Sequence, residues 1–123
     1  MNKFLFGGLL LAIAGAASAG SVTGAYSKTN GEILIAQDGG QAAFYINSVV
    51  DMHPCQVGSD EEPVVANIVD EHRAVWTSED AEDRCVILLT FSPSMVTVKT
   101  KDCDSYCGMN AIGSMDGSYQ LSK

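Results

Sequence analysis

The chain has 123 residues, four cysteines, 46% hydrophobic residues and a formal charge of −8. That length holds one domain of ordinary size. Fifteen acids against seven Lys and Arg exclude the basic footprint needed to bind nucleic acid or an anionic lipid surface.

Residues 1–19 read as a secretory signal peptide. Lys3 supplies a short positive start, residues 4–16 are apolar, and Ala17-Ser18-Ala19 forms the cleavage site. The apolar run is short for a bilayer span, which takes roughly 20 residues, and Gly7, Gly8 and Gly15 interrupt it. Cleavage leaves residues 20–123 as a single domain and takes the formal charge from −8 to −9. No cysteine sits at the cut to carry a lipid, and no later segment is apolar enough to span a membrane. The leader has a bacterial look, which places the protein in the periplasm or outside the cell.

The mature chain reads as a succession of strands. Residues 23–29 (TGAYSKT) are the first, and Asn30-Gly31 signals a type I′ hairpin, whose central residues both take positive φ. Residues 32–37 return with Ile33 and Ile35 on one face, and Asp38-Gly39-Gly40 turns the chain again. Residues 41–50 place Phe44, Ile46, Ser48 and Val50 on one face and Tyr45 and Asn47 on the other, so Tyr45 is an outward aromatic if the Phe44/Ile46 face is inward, and Asn47 beside it suits a wet face. Residues 51–55 lead into the polar loop 58–63. Residues 64–69 and 74–77 are short strands, and the acidic loop 78–83 follows. The strongest signal comes next. Cys85, Ile87, Leu89 and Phe91 share one face of a nearly unbroken apolar run, Ser92-Pro93-Ser94 breaks it, and residues 95–101 alternate cleanly. After a turn carrying two thiols, residues 111–113 and 117–121 supply the last strand. The near-repetition of Gly24-Ala25-Tyr26 by Gly117-Ser118-Tyr119 suggests that first and last strands pair. The fold class is therefore all-β: a small antiparallel up-and-down barrel of seven or eight strands.

Cys55, Cys85, Cys103 and Cys107 in an exported chain of this size read as two disulfides. The preferred pairing joins Cys103 to Cys107 and Cys55 to Cys85. The competing one ties Cys55 and Cys85 separately to the two turn cysteines. His53 with the cysteines could be arranged around zinc, but an oxidising compartment favours bridges, and no metal or cofactor is expected. Asp102 and Asp104 open like a calcium loop, yet its sixth and twelfth positions hold Cys107 and Gly113, so that motif fails. His53 and His72 are the only histidines, and no nucleophile elbow, phosphate loop or dinucleotide fingerprint accompanies them. No enzymatic activity is expected.

Nine acids lie between Asp60 and Asp83. The clusters Asp60, Glu61, Glu62 and Glu79, Asp80, Glu82, Asp83 are the candidate contacts for a cationic protein, with Tyr45 as an outward aromatic beside them. Trp76 is expected to fill the core, while Tyr26 and Tyr106 become anchors only where exposed.

Signal peptide, length, antiparallel strands and cysteine staples together resemble the small exported bacterial β-barrels that include the periplasmic lysozyme inhibitors. Those inhibitors present a Ser-Gly loop near a Tyr. Thr23-Gly24-Ala25-Tyr26 is a loose echo of it at the mature N-terminus, and no inhibitory residue is carried over. The resemblance implies a non-enzymatic protein-binding module that inhibits a cationic hydrolase such as lysozyme. The alternative is a small-ligand carrier with its site inside the barrel. Oligomeric state is not legible in the sequence.

Overall fold

The computed structural model describes residues 21–80 and 82–122; the signal-peptide reading of residues 1–19 lies outside them. Nine strands follow in order among the described residues: β1 (Gly24–Lys28), β2 (Gly31–Asp38), β3 (Gln41–Val50), β4 (His53–Val57), β5 (Val64–Asp70), β6 (Arg73–Thr77), β7 (Val86–Ser92), β8 (Met95–Lys101) and β9 (Gly117–Leu121). Every pairing is antiparallel. They close an eight-stave barrel, because β9 pairs back on β1 at Gln120 with Ser27 and Leu121 with Tyr26. The pairing of first and last strands is as the sequence suggests.

One stave is made of two strands. β4 pairs with the second half of β3, from Ile46 with Val57 to Val50 with His53. β5 pairs with the first half, from Phe44 with Val64 to Gln41 with Asn67. Both run in the same direction along the same edge of β3. Loop 58–63 swings out between them. Gly58 makes the exit possible: its φ is +73°, and a Cβ there would sit 3.1 Å from the Phe44 carbonyl and 3.2 Å from the Val64 nitrogen. The expectation that residues 51–55 merely lead into a loop is corrected. Proline and polar residues hide β4 in the sequence, and Pro54 is tolerated because the β3 ladder lies along only one of its edges.

Two further expectations change. The hairpin turn predicted at Asn30-Gly31 sits one residue earlier in the chain and is not of type I′. Thr29 and Asn30 form the tip, only Asn30 (φ 65°) is left-handed, and Gly31 opens β2. Gly31 is needed for another reason, since a Cβ there would meet the Tyr119 ring at 3.2 Å. The turn with two positive φ values is Asp51-Met52, at 49° and 68°. Likewise, residues 111–113 do not join the last strand. Met109–Ala111 is a 3-10 turn, following another at Asp104–Tyr106.

Strand alternation fills the interior. Ile33, Phe44, Ile46, Ile87, Leu89, Val96, Val98 and Tyr119 are fully buried, and Trp76 is buried as expected. Small residues (Ala42, Ala66, Ala74) share inward faces with Phe44 and Trp76, whose rings meet edge to face at 6.5 Å. The segment 102–116 covers the end of the barrel where β1, β3, β6 and β8 finish. Its Ala111 and Met115 are buried. The Tyr119 hydroxyl donates to the Met115 carbonyl at 2.6 Å, Ser48 and Ser114 share a hydrogen bond of 2.6 Å, and Lys28 Nζ donates to the Ser114 and Asp116 carbonyls at 2.7 and 3.0 Å.

Two disulfides pin this cap, Cys55 to Cys107 and Cys85 to Cys103, with Cα separations of 4.0 and 4.4 Å. The preferred sequence pairing is thus overturned in favour of its competitor. The 3-10 turn at Asp104–Tyr106 separates Cys103 from Cys107 and directs them to opposite sides. Cys55 and Cys85 are separated by the β6 stave, about 10 Å across two strand spacings, beyond the roughly 7 Å that a bridge spans.

Peptide mapping of the oxidised protein should recover these two bridges. Replacing Cys85 and Cys103 by Ala should cost about 3 kcal/mol, and replacing Cys55 and Cys107 about 4 kcal/mol, because the second closes the longer loop; urea unfolding measures both. Burial pushes the Tyr119 phenol up, with Asp116 adding to it, and Tyr26 is raised in the same way. A raised folded-state value means that the stabilisation is complete below the unfolded value of 10.0 and is lost as pH rises beyond it. Stability should therefore fall above pH 10.0, and Tyr119→Phe should flatten that fall while costing roughly 1 kcal/mol at neutral pH.

Candidate functional site

The split stave creates an opening on one flank of the barrel. The β5–β6 ladder holds from Asp70 with Arg73 to Asn67 with Val75, with a bulge between Ile68 and Asp70, and then stops. Val64, Val65 and Ala66 on one side and Trp76 and Thr77 on the other have no partner across this seam. The Asp70–Arg73 end is also held by side chains. The Arg73 guanidinium donates to Asp70 Oδ2 at 2.6 and 2.8 Å and keeps that carboxyl below its ordinary range. The cap closes the other end.

Between the two ends lies a groove of about 740 Å³ whose floor and walls include Val64, Val65, Val75, Trp76, Thr77 and Tyr106. Tyr106 meets the Trp76 ring edge to face at 6.0 Å, and its hydroxyl donates to Ser78 Oγ at 3.4 Å. Burial pushes the Tyr106 phenol up; the Ser78 hydrogen bond opposes this, and Asp83 and Asp80 add to it. Val65 and Val69 are exposed on the outer face of β5.

The acidic residues frame this flank. Asp60, Glu61 and Glu62 are exposed on loop 58–63, which its own hydrogen bonds hold. The Ser59 amide donates to the Glu62 carbonyl at 3.1 Å, and the Glu62 amide donates to Ser59 Oγ at 3.0 Å. Glu79 lines the groove from the opposite side. Asp80 is exposed and accepts the Glu82 amide at 2.9 Å. Glu82 and half-buried Asp83 turn instead toward Asp102 and Asp104 beside the cap, where Ser105 Oγ donates to Asp83 at 2.9 Å. Tyr45 is outward-facing and half-buried. It lies in a second, shallower groove with Asp60, Pro63, Leu34 and Ala43. Pro63 lines both grooves, so the acidic loop is the ridge between them.

The sequence residues thus divide. Asp60, Glu79 and Tyr45 line the two grooves of this flank, with Glu61 and Glu62 next to Asp60 in its loop; Glu82 and Asp83 line a separate hollow beside the cap, though Asp83, like Asp80, still acts on the Tyr106 phenol. Tyr26 is buried within β1, its hydroxyl donating to the Val22 carbonyl at 2.8 Å. His53 opens β4 at the capped end, and His72 sits in the β5–β6 turn at the other, so the two histidines cannot act together. Val65, Val75 and Thr77 were not singled out by sequence. They are ordinary strand residues until the ladder beside them ends. All four cysteines are in disulfides, and among the described residues no group of three or more His, Cys, Asp or Glu is placed to hold a metal ion. Among them, too, no helix is long and apolar enough to cross a membrane.

Trp76 is the chain's single tryptophan, so its fluorescence reports the groove. Tyr106→Ala should shift its emission to the red, open it to iodide quenching and cost roughly 1 kcal/mol for the lost aromatic pair. Unchanged emission would mean that Tyr106 does not shield the ring. No family model, no curated protein and no solved structure matches this chain.

Proposed function

We propose that the chain is an exported, non-enzymatic protein-binding module that inhibits a cationic hydrolase, of which lysozyme is the type, in a bacterial periplasm or outside the cell. One observation carries the reading: an apolar groove walled by Trp76, Tyr106 and Val75 lies between the acidic ridge 60–62 and Glu79. An apolar floor with an acidic rim suits a partner that inserts an apolar side chain and surrounds it with Lys or Arg. The formal charge of −8 extends the attraction beyond contact distance and speeds encounter. Two disulfides fit an oxidising compartment, where such hydrolases work. The packed interior favours a surface outside the barrel over a ligand site within it.

The test is binding of the oxidised protein to lysozyme and other cationic cell-wall hydrolases at two salt concentrations. Affinity should fall at least about tenfold between low salt and roughly 0.5 M, as screening removes the rim's contribution. The triple variant Asp60→Asn, Glu61→Gln, Glu62→Gln should bind more slowly, with a dissociation rate that changes less. No binding at low salt would remove the reading.

A further inference from the structure

We propose that the β5–β6 seam receives an extended segment of the partner protein as a short added strand, pairing with Val65 on one side and Thr77 on the other. This rests on the protein-binding reading above and states how the partner is held.

Parity along the two strands carries the inference. Successive strand residues direct their N–H and C=O groups to alternate sides. The Ile68 amide donates to the Gly40 carbonyl at 2.9 Å, so Ile68, Ala66 and Val64 face β3, and Val65 and Asn67 face β6. The Ser78 amide donates to the Cys85 carbonyl at 2.9 Å, so Ser78 and Trp76 face β7, and Thr77 and Val75 face β5. Asn67 and Val75 meet across the seam; the next facing pair would be Val65 with Thr77, and the ladder ends before it. Each therefore presents an N–H and a C=O to the groove with no strand partner, and both residues are exposed. A free strand edge of this kind is the template that peptide-binding sheets use.

The closed construction of the rest of the barrel makes the gap stand out. The two-pair β9–β1 ladder is extended by the Ser122 amide, which donates to the Ala25 carbonyl at 2.8 Å, and the outer edge of β4 is covered by the cap, where Gly108 donates to the Pro54 carbonyl at 2.8 Å. Charge selects the occupant. A segment entering the seam runs between the 60–62 ridge and Glu79, so its outward side chains are favoured when basic. Its inward ones meet Val64, Trp76 and Tyr106 and are favoured when apolar. The partner chemistry is thus an extended stretch in which basic and apolar residues alternate.

The probe is a capped heptapeptide of alternating lysine and valine, compared with the same peptide N-methylated at alternate amides. Its binding to the oxidised protein is followed by Trp76 fluorescence and by hydrogen exchange of the Val65 and Thr77 amides. The proposal expects the plain peptide to bind, to slow exchange at those two amides, and to lose roughly tenfold in affinity on methylation, as backbone bonds are removed while charge and side chains stay. Equal binding of both peptides, with no protection at Val65 and Thr77, would overturn strand addition and leave the charge-based reading standing. No binding of either at low salt would also overturn strand addition, and the hydrolase measurement would then judge the broader reading alone. Thr77→Pro, which removes one of the donors on the seam while leaving both acidic loops in place, should weaken peptide binding. If that variant fails to fold, the methylated peptide decides the matter.

Discussion

The cap and its two disulfides govern this molecule. A barrel has two open ends, and here a single segment, 102–116, seals one of them. Cys103 fastens it to the start of β7 and Cys107 to β4. Buried Met115, held by the Tyr119 hydroxyl, fastens it to the closing strand. The Lys28 ammonium contributes in two ways, donating to cap carbonyls while lying 5.4 Å from the centre of the Tyr119 ring. Because Cys107 ties the cap to β4 and not to β6, the cap covers one edge beside the flank and leaves the other free. The cap thus closes one end of the groove without covering its length.

The split stave completes that arrangement. Had the chain run straight from Val57 to Val64, one strand would have paired with all of β3 and met β6 along a full edge. Loop 58–63 interrupts it and brings three acids to the point where the seam opens. The acids sit on a loop held by its own hydrogen bonds, and the apolar contacts sit on strands. Framework and charge are thus built separately, and either can change without the other.

Much of the framework was legible in the sequence because it is periodic. β8 and β3 alternate so regularly that their ends coincide with the predicted runs, and Cys85, Ile87, Leu89 and Phe91 share one face as read, and the structure turns that face inward. β4 was not legible: His53 and Pro54 carry no strand signal, and only the neighbouring half of β3 makes them one. The disulfide pairing was not legible either. It depends on which staves stand between Cys55 and Cys85 and on a 3-10 turn that points Cys103 and Cys107 apart. At the site, the acidic clusters and Tyr45 could be named from composition and alternation. The seam could not, since a missing pair between Val65 and Thr77 is a property of two strands and leaves no mark on either.

The up-and-down order of the strands has a consequence for how the chain reaches this state. Most pairings join neighbours in sequence, through turns of two residues such as Gly39-Gly40 and Pro93-Ser94, and these hairpins form with little loop entropy to overcome. The contact of β9 with β1 joins residues more than ninety positions apart through only two register pairs. Closure therefore comes late, and until it does β1 and β9 present raw edges to other copies of the chain. Formed before closure, the Cys85–Cys103 bridge, spanning 18 positions, would keep β7, β8 and the start of the cap together and shorten the search that brings β9 home.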